Sequence, residues 1–173
     1  HGKIVIGFIG TISLISHPVD ILVEAFASLI QKFPTIHLLI VGGGEDITYI
    51  KTRINELGLS NVVSLVGRIN SEDIPQYYKV CDITVDPVLN NEVAKARLPL
   101  KMFESWVVGI PFVTSNVGDR KHYLSNPISG LCAEGDGSFD LENELVKLLT
   151  DTKLRNEIIS NGIKKSENYY WDI

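Results

Sequence analysis

The run His37-Leu38-Leu39-Ile40-Val41-Gly42-Gly43-Gly44 decides the fold. Four apolar residues follow one another without alternation, and three glycines then end the run abruptly. A strand with one wet face alternates polar and apolar residues; a continuous run belongs to a strand covered on both faces, as in a parallel sheet. A helical pattern over Ile47–Leu57 comes next, and Gly58 ends it. The unit is therefore strand, glycine turn, helix.

Working outward, the same unit recurs. Lys3–Phe8 runs into Gly7-Phe8-Ile9-Gly10, and Val62–Val66 runs into Gly67. Asp82–Val85 opens into a loop from Asp86 to Arg97, Ile110–Thr114 into a polar segment, and Gly130–Ala133 reads as a short sixth strand. Between them, Val19, Leu22, Val23, Phe26, Leu29, Ile30 and Phe33 form one helical stripe that Pro34 stops. Ser71 is placed to cap a helix through about Val80, and a further helix spans Pro99 to Val108, closed by Gly109. Two helices, Leu141–Thr150 and about Leu154–Tyr169, finish the chain. The expectation is an α/β fold, a Rossmann-like doubly wound parallel sheet of about six strands with helices on both faces.

Composition supports this and narrows the partners. The 173 residues suit one domain, 1–173, and the 45% hydrophobic and 21% charged fractions are ordinary for a globular chain. A net charge of -5 argues against a duplex nucleic-acid partner. Cys81 and Cys132 form no CxxC pair, so the reading is two buried thiols in a reducing compartment, with no metal site. No apolar run approaches the ~20 residues that span a bilayer, and no signal-peptide pattern is visible. The expected location is cytoplasmic, with peripheral contact at the inner membrane surface left open.

In doubly wound sheets, ligands bind beyond the carboxyl ends of the strands. Here those ends are Gly7–Thr11, Gly42–Glu45, Gly67–Asn70, Asp86–Arg97 and Thr114–Asp119, all rich in glycine or polar groups. The segment carrying chemistry is Arg97-Leu98-Pro99-Leu100-Lys101-Met102-Phe103-Glu104. Pro99 suits the first helical position. Leu98 before it offers no capping side chain, so the N–H groups of Leu100, Lys101 and Met102 seek an acceptor. The flanking charges, Arg97 and Lys101, are cations, each disfavoured at a helix start by ~0.3–1 kcal/mol. A bound anion reverses that sign, which makes this a phosphate site. Glu104, one turn on, suits paired ribose hydroxyls. The bland reading stays open: a solvated Lys101–Glu104 ion pair, with a neighbouring residue capping the helix.

At this segment the chain resembles the C-terminal, donor-binding domain of retaining GT-B glycosyltransferases, family 4 (glycosyl transferases group 1). Leu98-Pro99-Leu100-Lys101-Met102-Phe103-Glu104 followed by Gly109 and Thr114-Ser115 is similar to the second half of that family's Glu-x7-Glu block. Further blocks match in order: Leu38 to Glu45, Val63–Arg68, Tyr77 to Pro87 and Gly130 to Asp136. The resemblance implies a nucleotide-diphosphate sugar as substrate, with no cofactor and no metal. It puts the backbone around Leu98–Met102 on the diphosphate and Glu104 on the ribose. The turn at Gly67, Arg68 and Ile69 then lies along the base, and Gly10 and Thr11 approach the donor. It further implies an acceptor glycan or lipid, a separate N-terminal domain, and a fragment that does not transfer sugar alone. His1-Gly2 is read as a tag remnant, and Tyr169-Tyr170-Trp171 as the place where the chain returns to the first domain.

Three departures stand out. Ala96 occupies the place of the first Glu, the residue associated with the donor sugar, and Glu92, Asn91 and Asn90 are the nearby substitutes. The family's Arg and Lys after the first strand map to Thr11 and His17. Arg97 and Lys101 replace small or apolar residues, which suggests charge moved from the first loop to the helix start. No catalytic residue is assigned.

Other candidates have two readings each. His17 either forms a helix start or donates to phosphate. Gly43, within its triplet, is either turn geometry or a phosphate cradle. Arg68 stacks on a base or pairs with a carboxylate. Asp119-Arg120-Lys121-His122 reads as a solvated helix start, and Trp106 and Phe103 as core. The rival functions are a sugar-nucleotide epimerase or phosphorylase half and a non-catalytic nucleotide-binding or regulatory α/β domain. A receiver domain fits poorly, because Gly10-Thr11 and Gly67-Arg68 stand where it needs acidic residues.

Overall fold

The structure, a computed structural model, describes residues 2–169. His1 and the expected return at Tyr170 and Trp171 lie outside the described residues. The strands are β1 (Ile4–Ile9), β2 (Ile36–Val41), β3 (Val63–Gly67), β4 (Ile83–Asp86), β5 (Phe112–Ser115) and β6 (Leu131–Ala133). They form one sheet in the order β3-β2-β1-β4-β5-β6, and every pairing is parallel. Register runs from Ile4 beside Ile36 to Ile9 beside Val41, with Gly7 beside Thr84 on the other flank.

The helices are α1 (Val19–Lys32), α2 (Ile47–Glu56), α3 (Ile74–Val80), α4 (Glu92–Lys95), α5 (Leu100–Val108), α6 (Arg120–Ser125), α7 (Ser138–Thr150) and α8 (Thr152–Ser166). Alternate strand residues face two different layers, as the unbroken apolar runs require. Ile6, Phe8, Leu38 and Ile40 pack with Leu22, Phe26 and Leu29 of α1 and with Leu145 of α7. Their neighbours Ile9, Leu39 and Val41 pack with Tyr78 of α3, Cys81 and Ile110. A third apolar group joins Met102 and Trp106 of α5 to Phe112 and Leu124.

Local details differ from the sequence reading. Ser71 does not cap α3: it opens a short 3-10 turn, Ser71–Asp73, that leads into the helix without a side-chain cap. Pro99 is the N-cap of α5 with extended ψ of 124°, so the helix begins one residue later than expected. The loop after β4 contains a turn of helix, α4, capped by the Asn91 side chain, which accepts from the Ala94 N–H at 2.9 Å. Cys81 is buried, whereas Cys132 is only partly so. Burial pushes both thiols up to about 12, which makes them poor nucleophiles.

Candidate functional site

Strand order reverses between β1 and β4. The chain leaving β1 passes to α1 on one layer, and the chain leaving β4 reaches α5 on the other. Their divergence opens a crevice at the carboxyl ends of the two strands. A cleft of about 500 Å³ lies there, and its walls include Gly10, Thr11, Gly43, Arg68, Ile69, Lys101 and Glu104. Seven of the twelve residues expected at the site thus meet in one place.

The glycines explain how the walls come so close. The Gly10 N–H donates to the Val41 carbonyl at 2.9 Å, and the Ile12 N–H donates to the Gly43 carbonyl at 3.0 Å. The loop after β1 therefore lies against the turn after β2. A Cβ at Gly42 or Gly44 would collide with the carbonyl of Gly10 or Ile12. The triplet makes room for backbone, the plain-geometry reading of that turn. At Gly43 a Cβ would meet Arg68 Cγ at 2.7 Å, because the arginine side chain lies over this glycine. Arg68 is exposed and has no carboxylate partner among the described residues.

Charge gathers beneath the cleft. Asp86, the last residue of β4, is completely buried. Its Oδ1 accepts from Lys101 Nζ at 2.6 Å and lies 3.3 Å from His17 Nδ1. Lys101 Nζ is also 3.3 Å from that Nδ1 and 4.7 Å from the centre of the Phe8 ring. Burial raises the carboxyl of Asp86, but Lys101 and then His17 outweigh it and hold the group at about 2. A Cβ at Gly10 would sit 2.6 Å from Lys101 Cε, so the glycine lets the lysine lie across the end of β1. The expected alternative, a solvated Lys101–Glu104 pair, is not formed.

Glu104 is instead bonded to Tyr78, whose hydroxyl donates to Oε2 at 2.6 Å. Burial, and next Glu104, push the Tyr78 hydroxyl well above its ordinary range, so it remains a proton donor. This fixes the carboxylate at the cleft wall and leaves Oε1 for a ligand.

The remaining expected residues sit around this centre. No side chain caps α5, as expected, but the Met102 N–H already donates to the Pro99 carbonyl at 3.1 Å. The N–H groups of Leu100 and Lys101 have no backbone acceptor among the described residues. Met102 has its side chain in the core, and Leu98 packs against the same group. Leu100 is exposed and lines a separate apolar groove with Phe103 and Val107. Arg97 donates through Nη2 to the Ser16 carbonyl at 3.1 Å, so it fastens the first loop to the start of α5. His17 belongs to the buried charge cluster and does not line the cleft.

The nearby residues Glu92, Asn91 and Asn90 make local contacts in the loop after β4. Ala96 closes α4, Glu92 pairs with Lys95 at 2.8 Å, Asn91 caps the helix, and the Asn90 N–H donates to Asp136 at 3.2 Å. Nor is the start of α6 solvated throughout. Arg120 is buried, and its Nη1 donates to the carbonyls of Ala94 and Val117, both at 2.9 Å. Lys121 does sit outside, paired with Glu134 at 2.6 Å. No group of three or more His, Cys, Asp or Glu is arranged to hold a metal ion among the described residues, and no helix there is long and apolar enough to cross a membrane. Sequence reasoning missed Asp86 and Tyr78, which hold Lys101 and Glu104 in place, and the apolar wall residues Ile9, Val41 and Ile74. For Asp86 a signal existed: a lone carboxylate closing the short strand Ile83–Asp86, which holds no other charge.

A parallel sheet whose order reverses at a crevice places this chain among the doubly wound α/β domains, in which ligands bind at that point. The family model described as Glycosyl transferases group 1 matches residues 1–165, and the chain belongs to that family. A D-inositol 3-phosphate glycosyltransferase of Salinispora arenicola is 26% identical over 97% of the chain and 38% of its own length. Among solved structures, Anabaena HepE in complex with UDP and glucose superimposes with TM-score 0.82 at 24% identity, covering 96% of this chain and 44% of that one. The C-terminal domain of a Francisella tularensis glycosyl transferase group 1 protein also gives 0.82, at 22% identity, over 99% of this chain and 88% of that one. The chain spans about two fifths of the length of the curated relatives it matches.

Proposed function

We propose that residues 1–173 are the donor-binding, C-terminal half of a glycosyltransferase that uses a nucleotide-diphosphate sugar. The observation that carries this reading is the start of α5, where Lys101, whose N–H has no backbone acceptor among the described residues, shares one cleft wall with Glu104. In this reading the Leu100 and Lys101 N–H groups hold the diphosphate and Glu104 Oε1 accepts from the ribose. The turn at Gly67–Ile69 flanks the base, and Gly10 and Thr11 close on the donor from β1. Negative charge grows on the diphosphate as it leaves the sugar, and donors already aimed at it favour that change. The name of the Salinispora relative and the UDP and glucose bound by HepE support the ligand class.

The finer reading is a retaining, metal-independent, cytoplasmic hexosyltransferase, peripheral to a membrane, whose N-terminal domain binds an acceptor glycan or lipid. The chain by itself is expected to bind donor without transferring sugar; transfer by the isolated chain would overturn that division of labour. Calorimetry with the diphosphates of uridine, guanosine, adenosine and cytidine, with and without a chelator, is the direct test. One base should bind in the micromolar range with the chelator present, and no binding at millimolar concentration by any of them ends the reading. Ala96 favours a second reading, a nucleotide-binding domain without turnover, which sugar transfer by a full-length protein containing Ala96 would exclude.

A further inference from the structure

We propose that the Arg68 side chain, laid across Gly43, holds the donor's diphosphate from the flank opposite Lys101, as a phosphate-binding residue and not a base-stacking one. This rests on the diphosphate reading of the cleft.

The middle glycine of the triplet carries the first part of the argument. Gly42 and Gly44 leave room for the loop after β1, since a Cβ on either would collide with a backbone carbonyl. At Gly43 the three atoms nearest to a Cβ are instead Cγ, Nε and Cδ of Arg68, at 2.7, 3.1 and 3.3 Å. The turns after β2 and β3 are tied together, the Gly42 N–H donating to the Gly67 carbonyl at 2.8 Å. From the turn after β3 the arginine stem crosses onto the turn after β2, one strand spacing of ~4.8 Å along the top of the sheet. The next strand in that direction is β1, which ends at Gly10 and Thr11. Lys101 reaches the same place from the other flank: a Cβ at Gly10 would lie 2.9 Å from its Nζ. Arg68, Gly10, Thr11 and Lys101 line one cleft. Two cations thus approach the end of β1 from opposite sides.

Charge says what Arg68 is for. Lys101 is matched from beneath by Asp86, at 2.6 Å, and Glu104 adds a carboxylate to the cleft wall. Those three groups alone leave an excess of negative charge facing a doubly charged diphosphate, which they would repel. The other arginines near the crevice are engaged, Arg97 with the Ser16 carbonyl and Arg120 with the carbonyls of Ala94 and Val117. Arg68 has no carboxylate partner among the described residues, so its charge is free for an anion. A guanidinium offers a planar fork of donors that suits phosphate oxygens. Resting the stem over a glycine limits its freedom beforehand, so less is lost on binding. The backbone of Gly67–Ile69 stays beside the base, and only the arginine side chain serves the phosphates.

Calorimetry should use the nucleoside diphosphate that binds the wild type, out of those of uridine, guanosine, adenosine and cytidine. Arg68→Gln should weaken it about tenfold or more, as the loss of a charge-assisted contact does. It should also flatten the dependence of affinity on salt. The matching nucleoside, followed by NMR titration to millimolar concentration, should behave alike with both proteins. Gly43→Ala crowds the stem and should cost about threefold in the wild type and nothing further in Arg68→Gln, as coupled neighbours do. An Arg68→Gln variant that binds the diphosphate like the wild type overturns this inference alone. So does a loss shared equally by the nucleoside, or one that leaves the salt dependence unchanged, because either puts the guanidinium on the base. Equal loss from Gly43→Ala in both backgrounds overturns it too, since the alanine would then act without the arginine. Failure of all four diphosphates to bind the wild type overturns the functional reading together with it.

Discussion

Two helices begin at the crevice, one on either side of the point where strand order reverses, and each starts on a proline. Pro18 is the N-cap of α1 and Pro99 that of α5, and neither has a side-chain cap. The difference lies in the first turn. The second residue of α1 is Asp20; the second residue of α5 is Lys101. In α1 the Val19 N–H donates to the His17 carbonyl at 2.8 Å and the Ile21 N–H to Pro18 at 3.1 Å. In α5 only the Met102 N–H is engaged in this way. One helix start brings its own anion and satisfies its donors; the other leaves the positive end of its dipole open and adds a cation. A helix start thus offers itself to a ligand when nothing in its own first turn answers it.

That contrast can be broken by substitution. Lys101→Ala removes the cation that the open start adds, and the loss of one charge-assisted contact of ~1.5–3 kcal/mol should weaken a diphosphate about 10–100-fold. The nucleoside should be nearly unaffected; equal loss for both in calorimetry would refute a phosphate role for the lysine. Leu100→Asp gives α5 an acid of its own, as α1 has. It should weaken the diphosphate about tenfold while adding ~0.3–1 kcal/mol to the helix, seen as a Tm rise of about 1–3 °C. A variant that binds as tightly as the wild type would show that the start of α5 is not the anion site. Gly10→Ala places a methyl where Lys101 Cε lies. The lysine end must yield at the expense of its bond to Asp86, and alanine rarely adopts the φ of +159° found there, so Tm should fall and diphosphate affinity should drop about threefold to tenfold, roughly the worth of an ordinary hydrogen bond.

The smallest effect belongs to the other helix. Burial raises the Asp20 carboxyl above its ordinary value, so ionisation there works against the fold. The stability that Asp20 allows is complete below the unfolded carboxyl range and falls as pH rises through the raised folded value. Asp20→Asn should therefore lift Tm slightly at pH 7, by no more than about 2 °C given solvent screening. The gain should vanish below about pH 4, and ligand affinity should not change. Thermal melts at the two pH values check it.

Much of this was legible in the sequence because it is local. The unbroken run Leu38–Val41, closed at once by three glycines, reads as a doubly covered strand, and the stripe from Val19 to Phe33 fixes α1 within a residue. The missing cap before α5 could be read from Leu98 and Pro99. What stayed hidden depends on distance in space. Lys101 looks one turn along its helix towards Glu104 in sequence, yet it bonds to Asp86, fifteen residues earlier and on another element. Tyr78 and Glu104 likewise come from different helices. Arg120 sat in a charged tetrad that reads as surface, and only the fold shows carbonyls of α4 and of the turn after β5 waiting for it.

That last contact has a thermodynamic consequence. By gripping the Ala94 and Val117 carbonyls from within the core, Arg120 fixes the segment after β4 before any ligand arrives. A ligand at the neighbouring start of α5 then need not order this segment. Its binding heat capacity should accordingly reflect only the surface of the ligand and of the cleft it covers, with no contribution from coupled folding.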